Sequence, residues 1–239
     1  MWPGTIHGRT VSSLTSNPSF DAGSKARLTE YDLPRFSGTT LFDGIARAVS
    51  GAGCLPRKEL YEAWEVARRT RRLFRGGRVV DLAGGHGLLA SIMLLLDDSS
   101  PSALVVDTAI PESASKIAAA LERAWPRLAG RVSFLSQPLE SVSLSAEDVV
   151  VSSHACGGLT DLVLDRAIEA GANVAVLPCC HNLDQSNGAD LTGWLDGALA
   201  MDVRRAERLR SSGYRVWTQT IPETITPKNR LLVGEPIRS

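Results

Sequence analysis

The sequence has no excess of charge, no long apolar run and no disulfide framework. Its 239 residues include 26 basic and 26 acidic side chains, so the chain as a whole does not attract polyanions through net charge. The longest apolar run, Leu88–Leu96, is far shorter than the roughly 20 residues that span a bilayer. No secretory signal opens the chain, and the four cysteines show no disulfide spacing. We therefore expect a cytoplasmic protein that crosses no membrane and keeps its cysteines reduced.

The composition that remains is that of an ordinary globular protein, with 44% apolar and 22% charged residues. Residues 1–38 are rich in Gly, Ser, Thr and Pro, and we expect a loosely ordered arm there. A weak helical pattern follows at 41–48, and a stronger one begins at Leu55-Pro56-Arg57. No linker or break in composition appears after Arg78. The sequence thus predicts an N-terminal arm with a helical extension over 1–77 and one domain over 78–239.

Strand and helix patterns alternate from Arg78 onward. The expected strands cover 78–82, 103–106, 131–135, 148–152, 173–177, 214–221 and 230–234. The expected helices cover 88–96, 113–125, 160–169 and a long region that ends at Ser211. Such alternation predicts an α/β fold with a parallel sheet covered by helices on both faces. The last two strands have no helix between them, so they should form an antiparallel hairpin.

A glycine-rich turn follows the first of these strands. The segment Val79–Ala90 runs from an apolar strand through an acid and three glycines into an apolar helix. Backbone N–H groups at such a helix start can hold a nucleotide-like ligand, and glycine lets the backbone approach it closely. One interpretation is the dinucleotide pattern G-x-G-x-x-A over 85–90, with an acid, Asp107, about 20 residues beyond.

The second interpretation is Asp81-x-Ala83-x-Gly85-x-Gly87, which resembles the first motif of class I S-adenosylmethionine-dependent methyltransferases. The predicted strands also match that family's fold, a Rossmann-like seven-stranded sheet of five parallel strands and a terminal antiparallel hairpin. A dinucleotide enzyme would need a separate substrate domain, for which no residues remain. The resemblance implies S-adenosylmethionine as cofactor, with Asp107 on the ribose hydroxyls and Gln137 beside the adenine. The cofactor-binding residues that it implies are Asp81, Ala83, Gly84, Gly85, Gly87, Asp107, Gln137 and Ser153.

Histidines and cysteines concentrate in the turns after the first, fourth and fifth parallel strands. They are His86, His154, Cys156, Cys179, Cys180 and His181. Such turns meet at the carboxyl edge of a parallel sheet, where ligands bind. Three interpretations stay open: a zinc site, side chains packed beneath the cofactor, or a pocket for the methyl acceptor. Usual zinc-ligand spacings are missing, so we expect no bound metal. The acceptor pocket is favoured, because a neutral imidazole can take a proton from a nucleophile.

Two segments in these turns form a paired signature, His154–Asp161 and Pro178–His181. It resembles the H-x-C-G-x-x-T-D and P-C-C motifs of the tRNA acceptor-stem ribose methyltransferases and of related methyltransferase-like proteins. The resemblance covers residues 78–234 and makes RNA, methylated at a ribose 2′-oxygen, a candidate acceptor. It implies that the active site is lined by His154, Cys156, Cys179, Cys180 and His181. The zinc modules that precede the domain in the tRNA enzymes have no counterpart in residues 1–78, which contain only Cys54 and His7.

A basic segment, residues 57–78, carries eight basic residues against three acids. It is either a solvated helix face with i,i+3 and i,i+4 ion pairs or a patch for RNA phosphates, and ion pairing is favoured. Two alternatives to the methyltransferase also stay open. One is an NAD-type oxidoreductase, and the other is a non-catalytic module of the same fold that binds a partner.

Overall fold

The computed structural model describes residues 20–178, 181 and 191–238. In these ranges the chain forms six α-helices and seven strands. The helices are α1 (Leu41–Ala52), α2 (Arg57–Leu73), α3 (Leu88–Leu96), α4 (Ser113–Ala124), α5 (Gly158–Ala170) and α6 (Gly197–Ser211). The strands are β1 (Val79–Leu82), β2 (Ala103–Asp107), β3 (Val132–Ser136), β4 (Val149–Ser152), β5 (Asn173–Val176), β6 (Tyr214–Thr220) and β7 (Arg230–Pro236). No helix in these ranges has the length and apolarity that a membrane crossing requires.

The strands form one sheet in the order β3-β2-β1-β4-β5-β7-β6. Strands β1 to β5 are parallel, and β7 pairs antiparallel with both β5 and β6. The crossover through α6 therefore skips one strand position, which β7 then fills. The expected α/β fold, with five parallel strands and a terminal hairpin, is confirmed.

Two hydrophobic clusters cover the two faces of the sheet. Side chains alternate across each strand, so Val79 joins the cluster beneath α1, α2, α3 and α4, while Val80 joins the cluster beneath α5 and α6. Asp81 alternates to the same face as Val79, although it is a carboxylate within an otherwise apolar strand. This alternation directs the acid of the glycine turn under α3.

The prediction of a loosely ordered arm over residues 1–38 is wrong for residues 20–38. The segment Glu30–Phe36 is a 3₁₀ helix, and backbone bonds at 2.9 Å join Leu28 N–H to the Leu55 carbonyl and Arg57 N–H to the Ala26 carbonyl. Phe20 stacks on the Arg57 guanidinium at 3.6 Å, which holds the segment against α2. Residues 1–19 lie outside the described ranges. Residues before and after 78 share one hydrophobic cluster, and the division of the chain at that point stays a prediction.

The basic segment is largely paired within the fold, as favoured from the sequence. Its ion pairs are Lys58 with Glu62, Arg68 and Arg69 with Glu65, Arg57 with Asp32, Arg71 and Arg75 with Asp97, and Arg78 with Asp148. Several of these pairs reach residues far along the chain rather than neighbours on the helix. Arg71 is only 2% exposed and also bonds the Ser100 hydroxyl at 2.7 Å. Arg71 thereby ties α2 to the turn between α3 and β2.

Candidate functional site

The glycine turn between β1 and α3 is tight toward the sheet and open on its other side. Ala83, Gly85 and Gly87 have φ of 55°, 50° and 71°, a left-handed region that costs an L side chain about 1–2 kcal/mol. A Cβ added to Gly84 would lie 2.6 Å from the Asp81 Cγ. A Cβ added to Gly85 would meet nothing within 4 Å. The backbone at Gly85 therefore borders free space large enough for a ligand to approach.

Asp81 is a buried carboxylate without a partner. Its side chain is 1% exposed, and within the described residues neither carboxylate oxygen accepts a hydrogen bond. Burial raises its pKa to about 8, and the negative charge of Asp107 acts in the same direction. The nearby backbone N–H of Ala90 opposes this shift without bonding either oxygen. Leaving such a group unpaired is costly, so the site suits a ligand that brings hydrogen-bond donors or positive charge.

Asp107 lies at the end of β2, next to the turn. Its Oδ2 accepts a hydrogen bond of 3.1 Å from the Gly85 N–H, and its carbonyl accepts one of 3.0 Å from the Gln137 N–H. Ser153 is buried at the carboxyl end of β4, which neighbours β1. The structure therefore assembles the residues expected to bind the cofactor at one edge of the sheet.

His86, inside the turn, is held by two hydrogen bonds. Its Nε2 lies 2.8 Å from Glu59 Oε2, and its Nδ1 accepts a 3.2 Å bond from the Leu88 N–H. Burial acts to raise the pKa of Glu59, but the hydrogen bond and charge of His86, with the charges of His154 and Lys58, lower it overall. The sequence did not single out Glu59, because it lies on α2, 27 residues before its partner. Its position in the first turn of a basic helix gave no local signal of a site.

His154 completes a group of three at this edge. Its ring centroid lies 5.8 Å from that of His86, with the two planes 70° apart. In the described ranges neither of its ring nitrogens has a hydrogen-bond partner. Burial, followed by the charge of His86, lowers its pKa, so the ring is neutral at pH 7. One ligand atom from each of Glu59, His86 and His154 lies within 4.8 Å of the other two.

These three residues are also the one group with metal-ligand chemistry that the described part of the chain brings together. The zinc set weighed from the sequence is different. His181 bonds an acid on α6, Cys156 is exposed, and Cys179 and Cys180 lie outside the described residues. His154 thus joins Glu59 and His86 rather than a cysteine-rich site.

A second network joins both signature segments to α6. Arg205, 2% exposed, donates to Asp161 at 3.0 and 2.9 Å, to the Gly157 carbonyl at 3.2 Å and to Asp202 at 3.1 Å. Asp202 also accepts bonds of 2.8 Å from His181 and 2.7 Å from Arg230. Although burial disfavours its charge, the two carboxylates raise the pKa of Arg205. His181 and Asp161 are therefore held by hydrogen bonds that fix the shape of the edge.

Residues 59–186, just over half of the chain, match a family described as "Methyltransferase domain". The chain belongs to this family. It is a SAM-dependent methyltransferase domain, and its cofactor is S-adenosylmethionine. Family membership decides between the two interpretations of the glycine turn, which the turn's own residues leave open. The matched region begins at Glu59, the site residue without a signal in the sequence.

The curated relatives are longer proteins. The human glutathione S-transferase C-terminal domain-containing protein is 26% identical over 198 residues, which cover 68% of this chain and 30% of that protein. The homologue from Drosophila melanogaster is 30% identical over 127 residues, covering 36% of this chain and 22% of that protein. The chain thus spans about 30% or less of the length of these relatives.

Solved structures show the same fold. An O-methyltransferase family protein from Burkholderia thailandensis superposes with a TM-score of 0.51 at 20% identity, covering 87% of this chain and 63% of that chain. The SAM-dependent methyltransferase SibL, in its apo form, gives a TM-score of 0.51 at 20% identity, with coverages of 90% and 67%.

The residues at the sheet edge fit the family's cofactor. S-adenosylmethionine carries a charged amino group and a ribose diol, which are hydrogen-bond donors. The turn offers the unpartnered carboxylate of Asp81, the partly exposed carboxylate of Asp107 and the open side of Gly85. Donors on the ligand and acceptors on the protein are therefore complementary.

Proposed function

We propose that this domain methylates a nucleophile bound at the carboxyl edge of the sheet, between the glycine turn and the turn after β4. One observation carries the proposal. The cofactor-type acceptors Asp81 and Asp107 share an edge with His154, a partly buried neutral imidazole for which the described ranges show no hydrogen-bond partner. A cofactor cradle orients the reacting groups for methyl transfer, and a base beside it can take the proton that a protonated nucleophile loses.

The cofactor supplies an electrophilic methyl group on a sulfonium centre. In our proposal Asp81 accepts hydrogen bonds from its methionine end, Asp107 from the ribose hydroxyls, and Gln137 lies beside the adenine. The backbone of Ala83, Gly84, Gly85 and Gly87 passes beneath it, and Ser153 closes the pocket from β4. The support for these roles is the edge that the residues share and the lack of any other partner for Asp81 among the described residues.

On the acceptor side, we assign His154 to contact the reacting group. Cys156, two residues further on, is exposed and borders the same turn. His181 acts indirectly in this proposal, because its ring bonds Asp202 and supports the turn after β5. Cys179 and Cys180 lie outside the described residues, and their place in the pocket stays a prediction.

RNA, methylated on a ribose 2′-oxygen, is the acceptor that we propose to test first. Its support is the resemblance of the two signature segments to the tRNA enzymes. The basic segment adds nothing to this choice, because its cations largely pair with acids of the fold. A backbone-binding patch would instead leave several cations exposed and unpaired.

The test has two parts. Calorimetric titration with S-adenosylhomocysteine and with NAD identifies the cofactor, and we expect binding of the first alone. Transfer of radiolabelled methyl to fractionated RNA, protein and small-molecule extracts then identifies the acceptor. The proposal would be contradicted if NAD bound to the protein and S-adenosylhomocysteine did not. Binding of neither would favour a module that serves a partner.

Replacing Asp107 by alanine should weaken S-adenosylhomocysteine binding by about 30- to 100-fold, or about 2–3 kcal/mol. The change removes charge-assisted hydrogen bonds to the ribose and the bond that holds the Gly85 N–H. Calorimetry measures the loss. The control is Asp98→Ala, since Asp98 is exposed in the turn between α3 and β2, at the opposite edge of the sheet. Equal affinity of both variants would contradict the assignment of Asp107.

A further inference from the structure

We propose that Glu59, His86 and His154 act as one proton-accepting unit, in which His154 takes the acceptor's proton, and Glu59 holds His86 and stabilises the protonated His154 by its charge. The acceptor is then a neutral O–H or N–H group, which loses a proton when it is methylated, rather than a thioether or a carboxylate. This inference rests on the proposed methyltransferase function and deepens it.

The hydrogen bonds of His86 fix where its proton lies. The backbone N–H of Leu88 can only donate, so Nδ1 of His86 must present a lone pair at 3.2 Å. A neutral ring then carries its proton on Nε2, which faces Glu59 Oε2 at 2.8 Å. The Nε2 lone pair that a metal ion would need is thus taken up by an N–H bond. The pair is a carboxylate–imidazole hydrogen bond, and its proton lies between His86 and Glu59.

His154 is the member of the group left to react. Its ring nitrogens have no hydrogen-bond partner in the described ranges, whereas both nitrogens of His86 are engaged. It follows β4 directly and packs edge-on against the His86 ring, which belongs to the cofactor turn. A partly buried, neutral imidazole beside the cofactor turn can accept a proton from a nucleophile bound within hydrogen-bond reach.

The movement of positive charge during methyl transfer explains why the Glu59 carboxylate lies close to His154. As the acceptor oxygen or nitrogen bonds to the methyl carbon, the methyl–sulfur bond breaks and its electron pair stays on sulfur. The acceptor's proton moves to a ring nitrogen of His154. The positive charge of the sulfonium is thereby replaced by an imidazolium within the same edge, and an anion beside it lowers the cost of that charge.

Four charged or titratable groups face His154. Glu59 and Asp107 favour its protonated form, and His86 and Lys58 oppose it. Glu59 is the carboxylate within 4.8 Å of the group, and its own pKa is lowered, so it stays ionised over the working range. Removing its charge should make His154 a weaker base. By contrast, a purely structural Glu59 would affect stability and leave the titration of His154 unchanged.

The test is an NMR titration of the histidine ring signals in the full chain without cofactor, which needs no known acceptor. We expect Glu59→Gln to lower the pKa of His154 by at least about half a unit, and Glu59→Asp to restore most of it. His181 is the internal control, since its ring bonds Asp202 in a separate network, and its NMR signals should be the same in wild type and both variants. An unmoved His154 in Glu59→Gln would overturn the proposal.

Two further measurements separate this proposal from the function on which it rests. S-adenosylhomocysteine should bind the wild-type protein; if it does not bind, the methyltransferase proposal fails instead. Elemental analysis should find no stoichiometric metal. One equivalent of zinc, iron or manganese in wild type that is missing from Glu59→Gln and His154→Ala would overturn the proton-accepting unit in favour of a metal site.

Discussion

Replacing Arg205 by methionine should lower the free energy of unfolding by about 3–5 kcal/mol. Arg205 is almost fully buried and neutralises two acids, Asp161 and Asp202. Methionine keeps much of the volume but leaves both carboxylates without their shared cation. Breaking a buried ion pair by removing one partner costs this much because the remaining charge has lost its solvation and its partner. Urea unfolding followed by circular dichroism measures the change.

An exposed arginine on the sheet supplies the control for this experiment. Arg215 lies on β6 and pairs with Glu235 on β7 at the surface, where an ion pair contributes less than about 1 kcal/mol. Arg215→Met should therefore unfold nearly as wild type does. Similar losses in both variants would mean that the buried network adds little. Adding Asp161→Asn to Arg205→Met should recover part of the lost stability, because it removes one unpaired charge.

The second large effect concerns pH. The protein should lose about 3–5 kcal/mol of stability to Asp81 alone as pH rises from about 4 to about 8, and Asp81→Asn should abolish that loss. Burial raises the folded-state pKa of Asp81 to about 8, whereas an unfolded aspartate titrates near 3.9. Between these values the folded state holds a proton that the unfolded state has released. Stability therefore falls as pH rises through this range. Below about pH 4 the carboxyl group is protonated in both states, so Asp81 no longer makes stability depend on pH.

Urea unfolding at intervals from pH 4 to pH 9 measures this slope. The comparison is between slopes rather than absolute stabilities, since a buried asparagine has costs of its own. Glu140→Gln, at an exposed position after β3, should keep the wild-type slope. The expected slope should also decrease when S-adenosylmethionine is present, because a cationic ligand group near Asp81 favours its ionised form. A wild-type slope in Asp81→Asn would rule out Asp81 as its source.

Local pattern was enough to predict most of the sheet and the cofactor side of the site. Helix α3 has the expected bounds, and each of the seven expected strands is present within two residues at either end. The acid, the glycines and Asp107 were found because their spacing along the chain reflects their geometry at the turn. Period-two apolar runs likewise predict buried strands directly.

The parts that sequence reasoning missed depend on contacts between distant elements. Glu59 meets His86 across 27 residues, and Arg205 meets Asp161 across 44. Nothing in the sequences of α2 and α6 distinguishes Glu59 and Arg205 from the charged residues of a solvent-exposed helix face. The segment 20–38 was also missed, because its fixed conformation comes from Phe20 and from backbone bonds to the start of α2 rather than from any repeat. Long-range pairing thus decides the acceptor side of the site.

The order of the strands has a consequence for how the protein is made. Strand β5 is an interior strand of the finished sheet, yet its neighbour β7 is the last of the described strands along the chain. Until Arg230–Pro236 has left the ribosome, β5 presents an open hydrogen-bonding edge to other chains. The nascent protein is therefore most exposed to mispairing late in synthesis, when the cofactor turn and its histidine are already complete.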